Sequence, residues 1–355
     1  MIFCSPTWVD VSNSRCNNER HDQLTRLPQQ THGGRVLYWP AIAARHPKQR
    51  GGLRPMLTSA ISLALILFAA AAVRRRIAAR IEHAVGARLP VGPDGVIAGA
   101  EGFALARDGA PAVLLLHGGG DTPQTLRQLA NHLHASGYSV DVPLLPGHGR
   151  TIREFARVTP HEWTDTARER YRLLRERHEW VAIVGLSMGG ALAVQLAADN
   201  VDLPALGLLA PYLAMPSSAG RAAWCAPFWG LVVPYVRSSS GKSVHDSSEA
   251  AKSLAYGVFS ARALHALWTT VRWAWNALPR VHAPTLVVQS REDNRISVPD
   301  AERAFARLGA PEKRMVWMEG AGHVITVDYG RERVFALVAE WLDAHRVATP
   351  RQQRA

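Results

Sequence analysis

Residues 181–193 read Val-Ala-Ile-Val-Gly-Leu-Ser-Met-Gly-Gly-Ala-Leu-Ala. The opening Val-Ala-Ile-Val is a short apolar run of buried-strand type, and the small-residue stretch from Met188 to Ala198 reads as a helix. Their joint, Gly185-Leu186-Ser187-Met188-Gly189, has the form G-x-S-x-G. On a sharp strand-to-helix turn a serine hydroxyl stands clear of the backbone. Small residues two before and two after it let the chain fold back without collision. The five-residue pattern alone arises by chance in any chain holding Gly and Ser. Between a strand and a helix of small residues it marks Ser187 as a nucleophile, against the plainer reading of a glycine turn with a helix-capping serine.

Outward from this joint, apolar runs alternate with amphipathic stretches, the pattern of a mostly parallel sheet with helices on both faces. Upstream lie the strand Ala112–Leu116, a helix carrying Leu126, Leu129, Ala130 and Leu133, the strand Tyr138–Val142, and a helix marked by Trp163, Ala167, Tyr171 and Leu174. Downstream lie the strand Ala205–Ala210, the strand Thr285–Gln289 with the helix Pro299–Leu308, and the strand Arg314–Met318 with the helix Arg331–Ala344. The fold class is therefore α/β. About residues 212–280 break the alternation. They carry Trp224, Trp229, Trp268, Trp273 and Trp275, together with Phe228, Tyr235, Tyr256 and Phe259, and a polar stretch from Ser238 to Ser248. Core packing accounts for some of these aromatics; an aromatic-rich insertion between two sheet strands also has the composition of a helical lid over an apolar pocket.

A serine nucleophile needs a base, and the base an orienting carboxylate. On a G-x-S-x-G scaffold they follow in the order acid, then histidine. The strand Thr285–Gln289 runs into Ser290-Arg-Glu-Asp293, so Asp293 is the expected acid and Glu292 its neighbouring rival. The strand ending at Met318 runs into Glu319-Gly-Ala-Gly-His323, which makes His323 the expected base. All three residues fall at carboxyl ends of strands, where open α/β sheets place their sites. An oxyanion hole takes one donor from the amide after the nucleophile, Met188, and another from the loop after the first buried strand, His117-Gly118-Gly119-Gly120, with Gly119 the expected donor. His117 and His148 read as structural and turn residues.

The chain from roughly 95 to 345 resembles the bacterial carboxylesterase and monoacylglycerol lipase branch of the α/β-hydrolase superfamily. The resemblance rests on His117-Gly118 with Thr122-Pro123-Gln124, Pro146-Gly147-His148-Gly149, Glu162-Trp163, Gly185-Leu-Ser-Met-Gly-Gly190, Ser290-Arg-Glu-Asp293 and Gly322-His-Val-Ile-Thr-Val-Asp328. It implies an α/β-hydrolase fold, hydrolysis of carboxylic esters of short-to-medium acyl chain, monoacylglycerols among them, and the roles already given to Ser187, Asp293, His323, Gly119 and Met188. It implies no cofactor. This chain departs from the usual pattern in having Gly119 where the branch has Phe, Asp121 where it has Gly, and a longer insertion. Acyl transfer to other acceptors and peptide hydrolysis run on the same fold, as does a non-catalytic scaffold.

The 355 residues carry a formal charge of +12, which invites a nucleic-acid reading. Its distribution opposes that reading: residues 1–83 hold +8 and residues 346–355 hold +3, leaving +1 on residues 84–345. A nucleic-acid-binding domain needs a basic face to displace phosphate counterions. Of the three cysteines only Cys225 lies in the body, so no internal disulfide is expected there, and no Cys/His pattern has zinc spacing. Residues 1–55 lack periodicity and read as a disordered arm, with Met56 an alternative start. Residues 56–73, MLTSAISLALILFAAAAV, are eighteen without a charge, followed by Arg74, Arg75 and Arg76. A membrane-spanning helix needs about 17–25 apolar residues, so residues 56–83 read as an anchor helix and basic flank. The arginines place the body, residues 84–345, on the cytoplasmic side; a soluble cytoplasmic chain is the alternative. Residues 346–355 read as a basic tail.

Overall fold

The computed structural model describes residues 53–238 and 243–346. The arm over residues 1–52 and the tail beyond residue 346 lie outside the described residues. The body belongs to one compact unit, Met56–Ala355. It is entered by a single long helix, α1 (Leu53–Arg88), of 36 residues and about 54 Å at 1.5 Å per residue. Pro55 sits in its first turn, where the missing N–H breaks no hydrogen bond. Leu57, Ile61, Leu65, Phe68 and Val73 along the first half are all exposed. The second half lands on the body, with Val85 buried and Ala78 and Ile81 packed against the core. The helix thus runs beyond residue 83 and contributes to the core.

The elements that follow in chain order are β1 (Phe103–Leu105), β2 (Ala112–Leu116), α2 (Arg127–Ala135), β3 (Ser139–Val142), α3 (Ile152–Phe155) and α4 (Pro160–Arg177). Next come β4 (Val181–Leu186), α5 (Met188–Asp199) and β5 (Leu206–Leu209). After an insertion the chain resumes with β8 (Thr285–Ser290), α10 (Val298–Arg307), β9 (Lys313–Met318) and α11 (Arg331–Arg346). The strands form one seven-stranded sheet in the order β1-β3-β2-β4-β5-β8-β9. All neighbours are parallel except β1, which runs antiparallel to β3.

The strands divide the core by alternation, since successive side chains point to opposite faces. Leu114, Leu116, Ile183, Leu206 and Leu208 join a cluster with Trp163 and Ala167 of α4 and the apolar residues of α5. Val113, Leu115, Ala182, Val184 and Leu186 join the other, with Leu129 and Leu133 of α2 and Val334, Val338 and Leu342 of α11. α4 starts sharply because Thr159 and Glu162 form a capping box ahead of Pro160. The result is an α/β fold with helices on both faces of a mostly parallel sheet.

The insertion between β5 and β8 contains α6 (Ser217–Trp224), α7 (Ala226–Trp229), β6 (Tyr235–Arg237), α8 (Ser247–Ala251), β7 (Val258–Ser260) and α9 (Ala261–Ala277). It differs from a purely helical lid in two respects. β6 and β7 form an antiparallel pair. α9 packs along α5 and is part of the wall of the body, because Ala263, Ala266, Val271 and Ala274 give it an apolar stripe at helical spacing. The aromatics divide accordingly. Tyr235 and Tyr256 are buried, Trp268, Trp273 and Trp275 on α9 are half-buried, and Trp224 and Phe228 face solvent.

Candidate active site

Ser187 follows the last residue of β4 with φ 55° and ψ −117°, a left-handed backbone conformation that costs a non-glycine residue of order 1–3 kcal/mol. Its surroundings impose it. The Ser187 amide donates to Leu209 O at 3.0 Å and its carbonyl accepts from Tyr212 N at 3.0 Å, locking the turn against the end of β5. The flanking glycines are steric requirements. A Cβ on Gly185 would lie 2.2 Å from Gly189 O, and one on Gly189 would lie 2.0 Å from Leu116 O in β2. Only chain without side chains at both positions brings α5 this close to the sheet, and that approach raises the Ser187 hydroxyl above it.

His323 Nε2 lies 2.8 Å from Ser187 Oγ and His323 Nδ1 lies 2.7 Å from Asp293 Oδ2. The Asp293 side chain is fully buried and that of His323 nearly so. Four donors converge on the carboxylate. Oδ2 receives Gln289 Nε2 at 2.7 Å as well as the imidazole, and Oδ1 receives the amides of Arg295 at 2.7 Å and Ile296 at 3.0 Å. Burial alone would raise the Asp293 carboxyl. The charge and hydrogen bond of His323 and the two amides outweigh it and hold the group below the usual carboxylate range. Glu292 is exposed and serves elsewhere, accepting from Gly320 N at 2.7 Å. The histidine loop is tied down at both ends. Ser290 Oγ donates to Ala321 O at 2.5 Å, and the buried Asp328 accepts from Gly322 N at 2.7 Å. Asp328 also receives the amides of His245 and Asp246 at 2.8 and 2.9 Å, joining that loop to the insertion.

The loop after β2 lies beside the serine. A Cβ on Gly118 would be 3.4 Å from Ser187 Cβ, and one on Gly119 would be 3.1 Å from Met188 Sδ. Two histidines hold the loop from behind, their ring centroids 4.9 Å apart. His148 Nε2 accepts from Gly120 N at 2.9 Å while its Nδ1 faces Pro146 O at 3.1 Å. His117 Nε2 accepts from Leu145 N at 3.1 Å while its Nδ1 faces Gly118 O at 2.9 Å. Burial lowers His117 to about 4, and burial together with repulsion from His117 holds His148 well below the ordinary histidine value. Both rings are therefore neutral at pH 7, each with its proton on Nδ1, as the accepting Nε2 requires. His148 is thus more than a turn residue. From the insertion, Tyr256 N donates to Gly120 O at 3.1 Å, and Phe259 and Leu267 close over Gly120 and Gly119. Asp121, next in the loop, is buried and raised to about 6 by desolvation.

The sequence profile of the serine aminopeptidase S33 family of hydrolases matches residues 109–329, which include every residue just described. The chain belongs to this family. It is 30% identical over 250 residues to a thermostable monoacylglycerol lipase of Bacillus sp. strain H-257, covering 70% of this chain and 97% of that enzyme. It is 29% identical over 242 residues to a carboxylesterase of Bacillus subtilis, covering 67% of this chain and 94% of the relative. Among solved structures it superimposes on a metagenome-derived lipolytic enzyme with a TM-score of 0.66 at 31% identity, over 70% of this chain and all of that one. The fold is that of the α/β-hydrolases, and the chain is a hydrolase-family enzyme. About 30% of its length lies outside the matched region.

Gln289 and Asp328 carry geometry that no motif announced as functional. Gln289 follows the apolar run Leu286, Val287 and Val288 in β8, and a large polar side chain in a fully buried strand is a signal in itself. Asp328 closes the Gly-His-Val-Ile-Thr-Val-Asp segment, but its partners in the insertion lie about 80 residues away in sequence. Among the described residues, no group of three or more His, Cys, Asp or Glu side chains is placed to hold a metal ion.

Proposed function

We propose that this chain hydrolyses carboxylic esters through an acyl-enzyme on Ser187. The reading is carried by the unbroken chain of hydrogen bonds from Ser187 Oγ through His323 to Asp293. His323 Nε2 takes the hydroxyl proton as Ser187 Oγ attacks the ester carbonyl, and the buried Asp293 carboxylate stabilises the imidazolium that forms. The amides of Gly119 and Met188 receive the oxyanion, Met188 N lying in the first turn of α5, where a helix leaves its amides without an intrahelical acceptor. The imidazolium returns its proton to the departing alcohol. Water, deprotonated by His323, then releases the acid and restores the serine. The substrates proposed are esters of short-to-medium acyl chains, monoacylglycerols among them, in keeping with the relatives' activities. A fluorophosphonate probe should label the full chain and not Ser187→Ala; an unlabelled, folded wild-type chain overturns the reading. Partitioning of the acyl-enzyme between water and added alcohol separates hydrolase from transferase.

The same reading includes a membrane anchor. Residues 57–88 lie in the one helix among the described residues long and apolar enough to cross a bilayer, and its apolar window is not buried against the body. A core helix would bury that face. The apolar run followed by Arg74–Arg76 supports a single span with the body on the cytoplasmic side. Alkaline extraction should leave the chain with membranes, and Leu65→Arg with Ile66→Arg should release it. Release of the unmodified chain overturns the anchor.

A further inference from the structure

Among the described residues, the insertion presents an exposed apolar edge. Trp224 is 60% exposed at the end of α6, Phe228 72% in α7, and Leu231 and Val232 75% and 70% in the turn that follows. Four large apolar side chains within nine residues form a patch of the kind that marks a contact surface. Its position relative to α1 identifies the contact. The eighteen residues from Met56 to Val73 span about 27 Å as a helix, close to the roughly 30 Å of a bilayer core, so Arg74 stands where the helix leaves the hydrocarbon. Arg74 Nη2 and Nε donate to Gly230 O at 3.0 and 3.2 Å, between Phe228 and Leu231. The patch is therefore held within one arginine side chain of the bilayer surface.

The hold is rigid in more than one place. Glu82, two turns further along α1, accepts from Tyr235 Oη at 2.9 Å and pairs with Arg153 at 2.7 Å. Arg88 donates to the carbonyls of Ala255 at 2.7 Å and Tyr256 at 3.0 Å. One continuous helix thus clamps the insertion along its length. A cavity of about 410 Å³ between the two is lined by Arg74, Glu82, Arg262 and His265 beside Leu231 and Pro234. Charged groups at the level of Arg74 with large apolar residues beside them is the layering of an interfacial surface, in which an apolar face enters the headgroup and acyl boundary.

We propose that Trp224, Phe228, Leu231 and Val232 insert into the same bilayer that α1 spans, so that the insertion rests on the lipid surface as a second, shallow membrane contact. This rests on the anchor reading of α1. Two contacts fix the orientation of the body, where a single helix would leave it free to rotate, and they keep the insertion that covers the oxyanion loop in contact with lipid.

The test uses the full chain, with Cys4→Ser, Cys16→Ser and Cys225→Ala, reconstituted in phosphatidylcholine–phosphatidylglycerol vesicles. Single cysteines at Phe228, Leu231, Phe68 and Val201 carry a bimane label. Val201 is equally exposed but precedes β5, at the end of the sheet away from the insertion. Shallow doxyl-lipid should quench the labels at 228 and 231 at least twofold more than the label at 201. Quenching at 68 but not at 228 or 231 overturns this proposal alone, whereas no quenching at 68 overturns the anchor and the proposal with it. Unquenched labels at 228 and 231, with the unlabelled cysteines at those positions forming disulfides between molecules on oxidation, assign the patch to a second copy and also overturn it. Phe228→Asp with Leu231→Asp should lower the rate on a vesicle-borne monoacylglycerol about tenfold and leave the rate on a soluble ester within twofold. An equal fall on both substrates overturns the proposal.

Discussion

Replacing Gln289 with leucine separates what this side chain does for stability from what it does for the acid. Gln289 is fully buried at the end of β8, and its Nε2 donates at 2.7 Å to the Asp293 oxygen that also holds the imidazole. Its Oε1 is buried and has no hydrogen-bond partner among the described residues. A hydrogen bond to a charged group is worth about 1.5–3 kcal/mol, and a buried unpaired polar atom costs about 1–3 kcal/mol. The substitution removes both, so the unfolding free energy should stay within about 1 kcal/mol of wild type. Catalysis has no such cancellation. The amides of Arg295 and Ile296 keep Oδ1 in place, but Oδ2 loses the donor that fixes its direction toward His323. If half of the lost bond reappears in the barrier, about 0.75–1.5 kcal/mol, kcat falls roughly four- to twelvefold. KM should not change, because Gln289 acts through Asp293 and touches no substrate. Steady-state kinetics on a soluble chromogenic ester, beside thermal unfolding, read both quantities. A kcat within twofold of wild type in a variant of unchanged stability would refute the reasoning, as would a loss confined to KM. Gln289→Glu sets a second carboxylate against Asp293 and should move the acid limb of the pH–rate profile to higher pH.

Asp121→Asn should stabilise the protein in a pH-dependent way. Burial raises the Asp121 carboxyl to about 6 in the folded state, against about 3.9 in an unfolded chain. Its contribution is therefore fully present below about pH 4 and is lost as pH rises through about 6. Asparagine keeps the acceptor for Thr122 N without the charge, so the gain should approach roughly 3 kcal/mol at pH 8 and vanish at pH 4; equal gains in melts at both pH values contradict the burial account. Gly189→Ala drives a Cβ to 2.0 Å from the Leu116 carbonyl and should cost more than about 3 kcal/mol, visible as loss of soluble or reconstituted folded chain. Gly86→Ala, in α1 with open space around it, should instead add about 1 kcal/mol to stability; the reverse order of the two glycine variants would refute the packing described for α5.

The groups proposed to react are legible in sequence because each is announced locally. Ser187 sits in a five-residue steric motif whose glycines have one reason to be there, the approach of α5 to β2. Asp293 and His323 follow apolar runs that can only be strand ends, and a parallel sheet brings strand ends to one edge whatever else the chain does. The supports are not announced in this way, because a hydrogen bond across the fold leaves no periodicity. His148 meets Gly120 across 28 residues, and Asp328 meets His245 across 83. Neither pair has a spacing that means anything until the elements are packed. The insertion was harder still. Its aromatics have the composition of one lid, yet two physical roles are superimposed in it. The alanines of α9 at helical spacing build the wall against α5, while Trp224 and Phe228 obey no such stripe and end in solvent. Composition counts aromatic rings without regard to which face they leave a helix from. α1 shows the same limit from the other side, since its apolar run stood out at once but its landing on the body did not. That landing depends on Arg74, Glu82 and Arg88, three charged residues spaced eight and then six apart. At about 100° per residue the three fall within an arc of about 120°, so they reach the insertion from one side of the helix. Charged residues on a helix are ordinarily read as its solvated face; here that face clamps a neighbouring element, and only the packed chain distinguishes the two.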